Sequence, residues 1–155
     1  MRRLPACPLF LICLLCLTCL PLGASQAQQQ TLPPHTFLFG SWIGGRFPAP
    51  ANLPPAICSA QPTVIFTADL VMRSVISQST YVQRLIATVQ AIPNGADFVF
   101  APMPANAEAF ALAGDSNGFG CPNADTLRVE KRGENMIVFP NCGEFPYPLY
   151  RCGGR

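Results

Sequence analysis

From Phe37 onward the chain sets apolar and polar residues in short alternating runs, and proline or glycine stands in most of the gaps between them. A period of two, with β-branched and aromatic side chains on one parity, is the signature of strands that bury one face. Eight runs carry it: Phe37 to Phe47, Thr63 to Ile76, Tyr81 to Ile92, Asp97 to Ala101, Ala109 to Ala113, Thr126 to Arg132, Asn135 to Pro140 and Tyr147 to Cys152. In the second run Val64, Phe66, Ala68, Leu70, Met72 and Ile76 share a parity that only Ser74 interrupts, so it reads as one continuous strand.

Two turns set the register. Asn94-Gly95 is the dipeptide preferred by a two-residue type I′ turn, whose central residues both need positive φ. Folding there places Ala91 opposite Phe98 and Val89 opposite Phe100, and gives a face of Leu85, Ala87, Val89, Ala91, Phe98 and Phe100. A Gly133-Glu134 turn places Val129 opposite Val138 and Lys131 opposite Met136, with Arg128, Glu130, Arg132 and Asn135 on the other face beside Ile137 and Phe139. The stretch STYVQRLIATVQAI has a helical alternative, with Thr80 and Gln83 as a capping box and Val82, Leu85, Ile86 and Val89 as a stripe. A strand is the preferred reading, because Asp97 to Ala101 needs a hairpin partner and β-branched residues are frequent here.

Ahead of these runs, Arg2 and Arg3 precede an apolar segment from Leu9 to Leu20, which gives way to small and then polar residues. That is the layout of a secretory leader. Residues 1–27 are expected to be removed after Ala27, with cleavage after Ala24 as the alternative. A retained membrane anchor is the competing reading of Leu4 to Leu22, but Pro5 and Pro8 shorten its continuous part to about a dozen residues. The expected location is therefore secreted or periplasmic, with no stable membrane anchor after cleavage. Residues 28–35, QQQTLPPH, lack periodicity and read as a flexible arm before a single domain over 36–155.

Losing the leader changes the arithmetic. Cys7, Cys13, Cys16 and Cys19 go with it, and Cys58, Cys121, Cys142 and Cys152 remain, an even set that reads as two disulfides in an exported chain. Cys121 with Cys142 is the preferred pair, since both flank the Arg132-Gly133 hairpin; Cys58 is left with Cys152, at opposite ends of an ideal meander. Of ten basic residues Arg2 and Arg3 depart, so eight face eight acidic ones and the formal +2 falls to zero. A neutral domain has no field with which to seek nucleic acid.

Eight antiparallel strands in chain order are most simply closed as an up-and-down barrel, which removes exposed edges. The fold class expected is all-β, one disulfide-bonded eight-stranded antiparallel barrel. Gly40-Ser41-Trp42 on the first strand and Arg151 near the end of the last then resemble the Gly-x-Trp signature of the lipocalins and the basic side chain that packs across its ring. The resemblance implies structural roles for Gly40, Trp42 and Arg151 at the barrel floor. GSWIGGRFP is also similar to the opening of the nitrobindins, which bind haem through a late histidine, whereas the one histidine here, His35, precedes the first strand. A partial likeness to the bacterial alkaline protease inhibitors rests on the Gly-x-Trp and on an N-terminal arm suited to a protease cleft.

Chemistry is sparse. His35 reads as a solvent-exposed side chain of the arm, so no catalytic residue is expected and the chain reads as non-enzymatic. The cysteines, 63, 21 and 10 apart, form no Cys-x-x-Cys pair, and no metal site or cofactor is expected. DSNGFGCPNAD offers Asp115, Asn117, Asn123 and Asp125 as oxygen donors, without the spacing of a calcium loop. What remains is the interior, where Phe66, Met72, Ser74, Tyr81, Phe98 and Phe100 are the candidate ligand-binding residues. The leading expectation is a small apolar ligand held inside the barrel; the rivals are binding of an exported protease through the arm and a filled structural barrel of the envelope.

Overall fold

The computed structural model describes residues 32–49, 58, 62–75, 80–103 and 118–153. The expected leader, residues 28–31 of the arm and the expected strand Ala109 to Ala113 lie outside them. After a single 3-10 turn (Thr36–Leu38), eight strands follow: β1 (Gly40–Gly44), β2 (Val64–Phe66), β3 (Leu70–Ser74), β4 (Tyr81–Ile92), β5 (Gly95–Phe100), β6 (Thr126–Lys131), β7 (Met136–Val138) and β8 (Leu149–Arg151). Each pairs antiparallel with the next, and β8 closes on β1 through Trp42↔Arg151, Ile43↔Tyr150 and Gly44↔Leu149. The all-β, eight-stranded closed barrel expected from the alternation is the observed architecture.

The route to eight strands differs from the expected one. Thr63 to Ile76 is two strands, folded at Thr67, whose hydroxyl accepts from Leu70 N–H at 3.0 Å and donates to Leu70 O at 3.1 Å. A side chain thus supplies the turn where no glycine or proline marks it. Parity inverts across that turn: Val64 and Phe66 are buried in β2, but Val71 and Arg73 are buried in β3, and Met72 stands on the other face opposite Ile65.

The long segment is a strand, not a helix, and its hairpin turns one residue earlier than Asn94-Gly95. Pro93 and Asn94 form the turn, Ile92 faces Gly95, and Val89 faces Phe98. Gly95 is needed for proximity rather than for positive φ, since a Cβ there would lie 1.8 Å from Val129 O on β6. A bulge between Ile86 and Thr88 shifts the register, so Leu85 and Ala87 point outward and Arg84 and Ile86 take the inward side. Leu85 is 59% exposed, against the expected apolar face.

The β6–β7 hairpin slips by one residue as well. Lys131 faces Ile137, and Arg132 N–H closes a three-residue loop, Gly133 to Asn135, on Met136 O at 2.9 Å. A slip of one residue exchanges the faces of a strand. Ile137 and Phe139 therefore enter the core, while Met136 and Val138 are only half-buried.

The meander places the short connections (67–69, 93–94 and 132–135) at one end, the floor, and the strand ends joined by the four longer ones (45–63, 75–80, 101–125 and 139–148) at the other, the roof. Both expected disulfides are present, Cys121–Cys142 within the roof and Cys58–Cys152 across the barrel. The second is compatible with a meander because β1, β2 and β8 are only three to five residues long. At about 3.3 Å per residue, such strands separate floor from roof by little more than about 10 Å.

Candidate functional site

The floor is built around Trp42, 1% exposed. Gly40, at φ +112°, takes a backbone conformation that side-chain-bearing residues avoid and turns the chain from the 3-10 segment into β1. The indole N–H donates to Leu38 O at 2.8 Å, and the Arg151 guanidinium lies 4.4 Å from the ring centroid. Arg151 also donates to Phe39 O at 2.7 Å and to Phe37 O, so one cation ties the last strand to the chain entering the first. Burial pulls this guanidinium below the usual arginine range. Gly40, Trp42 and Arg151 therefore meet at the floor.

His35 corrects the sequence reading. It is 2% exposed, not an exposed residue of an arm. Its ring packs edge-on to Phe39 at 5.1 Å and to Phe98 at 5.2 Å, and Nε2 is 3.0 Å from Thr67 O at the β2–β3 turn. Nδ1 is buried with no hydrogen-bond partner among the described residues. The chain is thus anchored to the floor from His35 onward, and a free arm ends no later than Pro34.

Above the floor the interior is aromatic. Of the candidate ligand-binding residues, Phe66, Phe98 and Phe100 are here, each no more than 2% exposed. They pack against one another and against further rings. Phe66 meets Phe98 at 5.8 Å and Phe139 at 6.4 Å; Phe100 stacks on Phe119 at 5.6 Å, and Phe139 meets Phe145 at 5.1 Å. Phe119, Phe139 and Phe145 come from roof connections, not from strands. Rings from the roof thus pack onto rings from the strands inside the barrel.

The other three candidates do not join this group. Met72 is on the outward parity of β3. Tyr81 is half-buried at the roof end of β4, where its hydroxyl donates to Pro62 O at 2.9 Å and burial raises the phenol above its ordinary range. Ser74 is buried, and its Oγ accepts from Arg46 at 3.3 Å.

That contact belongs to an ionic cluster invisible to apolar patterning. Arg73, fully buried, donates to Glu144 Oε1 at 3.0 Å; Arg46 donates to the same oxygen from Nε at 3.0 Å and again from Nη2. The Arg46 guanidinium also sits 5.1 Å from the Phe145 centroid. Arg84, 1% exposed, lies 5.0 Å from the Phe100 centroid and donates to Ala124 O at 2.8 Å and to Asp125 Oδ1 at 2.6 Å. Buried guanidiniums are tolerated only when so paired. The cluster fastens the β1–β2 and β7–β8 connections to β3, while Arg84 holds the β5–β6 connection to β4.

At the rim of this roof two aromatic side chains face outward. Phe47 is 67% exposed and Tyr147 42%. Their loops are bound directly, by Tyr147 N–H to Gly45 O at 2.8 Å and Gly45 N–H to Pro148 O at 3.0 Å. Beside Tyr147 lies an open groove of about 470 Å³, lined by Val138, Phe139, Pro140, Phe145 and Pro146 among others. Among the described residues no three His, Cys, Asp or Glu side chains come together as a metal site would require.

Sequence reasoning missed Arg73 and Arg84. Both were readable as inward residues only after Thr67 was recognised as a turn and Ala87 as the bulge. No family model, no curated protein and no solved structure matches this chain.

Proposed function

We propose that this chain is an exported, non-enzymatic barrel of lipocalin-like descent that acts by binding another protein at its roof. The observation that carries the reading is the pair Phe47 and Tyr147, exposed on loops that are themselves locked by the buried Arg46–Glu144–Arg73 cluster. Large aromatic side chains held in water on a rigid frame are the usual anchors of protein interfaces, because association then costs little ordering entropy. The adjoining apolar groove continues that surface. Lipocalin-like descent is supported by Gly40, Trp42 and the Arg151 stack, export by the two disulfides. The one histidine packs into the floor, which supports a non-catalytic role.

A small apolar ligand inside the barrel is the second reading, and one observation favours it. Half of the interior phenylalanines come from roof connections, so outward movement of the roof would vacate a lined space. The two readings part on one experiment. The oxidised protein and a Phe47→Ala/Tyr147→Ala variant are used to capture proteins from the host's exported fraction, with quantitative mass spectrometry of what is retained. A protein held by the first and lost with the second is the expected result. Capture indifferent to both substitutions, together with an apolar fluorescent probe bound equally by both proteins, would favour the interior ligand and overturn the rim.

A further inference from the structure

We infer that His35 is a pH-sensitive latch on the floor of the barrel: a second proton on its ring unseats residues 32–36, with Phe37 as the hinge. His35 is 2% exposed, and its ring sits edge-on to Phe39 at 5.1 Å and to Phe98 at 5.2 Å. Thr67 O, 3.0 Å from Nε2, is a carbonyl oxygen that can only accept, so Nε2 carries the hydrogen of that bond. The next proton, taken from solvent, has only Nδ1 to go to. That atom is buried and meets no acceptor among the described residues.

A charged imidazole donates from both nitrogens, and burying one of those donors without an acceptor is costly. The surrounding charges do not relieve it. From β8 Arg151 donates to the carbonyls of Phe37 and Phe39, and from β6 the Lys131 ammonium lies 5.2 Å from the Phe37 centroid; both are cations. Asp69 in the β2–β3 turn is exposed. Asp97, next to Phe98, points to the opposite face of β5, where Arg128 holds both its oxygens. Neither carboxylate takes the new N–H. Water is the remaining acceptor, and the ring reaches it by leaving its seat.

The same contacts define what moves. Arg151 holds the carbonyls of Phe37 and Phe39, and the Trp42 indole N–H donates to Leu38 O at 2.8 Å, so the chain from Phe37 onward is fastened without His35. Before Phe37 the hydrogen bonds are the His35 contact to Thr67 and two turn bonds, Thr36 N–H to Pro33 O at 3.1 Å and Leu38 N–H to His35 O at 2.9 Å. Leu32 and Pro34 are exposed. Release therefore lengthens the free arm to Thr36 and uncovers Thr67 O with the edges of Phe39 and Phe98. Because release lets the ring keep a proton for which the seat offers no acceptor, the open form gains as pH falls, by at most about tenfold per pH unit for one proton. An imidazole in water takes that proton at about pH 6.5, so the gain develops below that value.

Amide exchange of the disulfide-intact protein, read by NMR between about pH 7 and about pH 5, tests the latch. The chain has one histidine, and no other side chain ordinarily changes charge in that interval. The expected result is that protection of the Thr36 and Leu38 amides, corrected for the intrinsic pH dependence of exchange, falls at least about tenfold, while the Trp42 indole N–H and the Phe98 amide keep theirs. His35→Phe keeps a ring between Phe39 and Phe98 but no nitrogen to protonate, and its Thr36 and Leu38 protection is expected to stay level. Protection of Thr36 and Leu38 that does not change with pH in the unmodified protein overturns the inference. So does a loss shared by the indole N–H and Phe98, which is general unfolding, or a loss that persists in His35→Phe. Because the first readout uses the unmodified protein, it decides even if the variant fails to fold. The rim aromatics take no part, so failure here leaves the roof reading standing.

Discussion

Trp42→Ala removes the largest side chain of the floor, and three separate losses follow. The indole is 1% exposed, so its deletion is a large-to-small core change of about 3–5 kcal/mol. Within that figure lie the desolvated Leu38 carbonyl, which loses the N–H at 2.8 Å, and the Arg151 guanidinium, which loses the ring 4.4 Å away. Trp42→Phe separates them. It keeps an aromatic face for Arg151 but no donor for Leu38, and is expected to cost about 1–3 kcal/mol. A double-mutant cycle with Arg151→Met then isolates the stacking term at about 0.5–2 kcal/mol. The assay is urea unfolding of the disulfide-intact protein followed by far-UV circular dichroism, since the chain has one tryptophan and the variants remove it. Stability is read from the midpoint at constant slope. A Trp42→Ala protein destabilised by less than about 1 kcal/mol would refute a structural floor, because a fully packed indole cannot be deleted so cheaply.

Glu144→Gln takes the carboxylate from two buried guanidiniums and is expected to cost about 3 kcal/mol, with proteolysis of the 139–148 connection as a second readout; a neutral effect would mean the cluster does not hold the roof. Removing Cys58–Cys152, whose ends are 94 residues apart, is expected to destabilise by about 4–5 kcal/mol, against about 3 kcal/mol for Cys121–Cys142 at 21, and thermal unfolding that reversed this order would count against the loop-entropy account. On the outer face Arg128 donates to both carboxylate oxygens of Asp97 at 2.7 Å and holds that carboxyl below its ordinary range. A depressed carboxyl stabilises the fold at pH values above the unfolded aspartate value and loses that contribution as pH falls through the folded one. Asp97→Asn should therefore flatten the stability profile slightly below about pH 4, by an amount limited by solvent screening. Parallel acid titrations of the two proteins that superimpose would dispose of the pair.

The features legible in the sequence were those with a local chemical reason. Period-two alternation located every described strand, though it merged β2 and β3 into one run, and the cysteine count gave both disulfides. What escaped were single-residue decisions. The turn at Thr67 is made by a hydroxyl rather than by glycine or proline, so parity arithmetic carried straight through it and put Met72 inside and Arg73 outside. The bulge at Ala87 and the one-residue slip at Arg132 have no sequence marker, yet each exchanged the faces of everything beyond it. Arg73 and Arg84 defeated hydropathy outright. Their burial becomes favourable only in the presence of Glu144 and Asp125, which lie 71 and 41 residues away. His35 was misplaced because the polar residues around it suggested an arm, whereas the barrel floor between Phe39 and Phe98 supplied an apolar seat that no local pattern announces.

The same packing that closes this barrel bears on the proposed binding at the roof. β6 with β7 and β7 with β8 share only two residue pairs each, too few for backbone pairing alone to shut the cylinder. Closure depends on side chains: Ile137 and Leu149 from the short strands, and Phe119, Phe139 and Phe145 delivered by the roof. Each ring contributes contacts at about 5–6.5 Å centroid spacing, where aromatic pairs are favourable. An internal ligand would have to replace those contacts and also release Glu144 from Arg46 and Arg73, a combined cost that few apolar molecules recover by their own burial. Phe47 and Tyr147 carry no such cost. They already face solvent on a fixed frame, so under the proposed reading a partner protein that covered them would bury exposed apolar area without disturbing the core that holds the barrel shut.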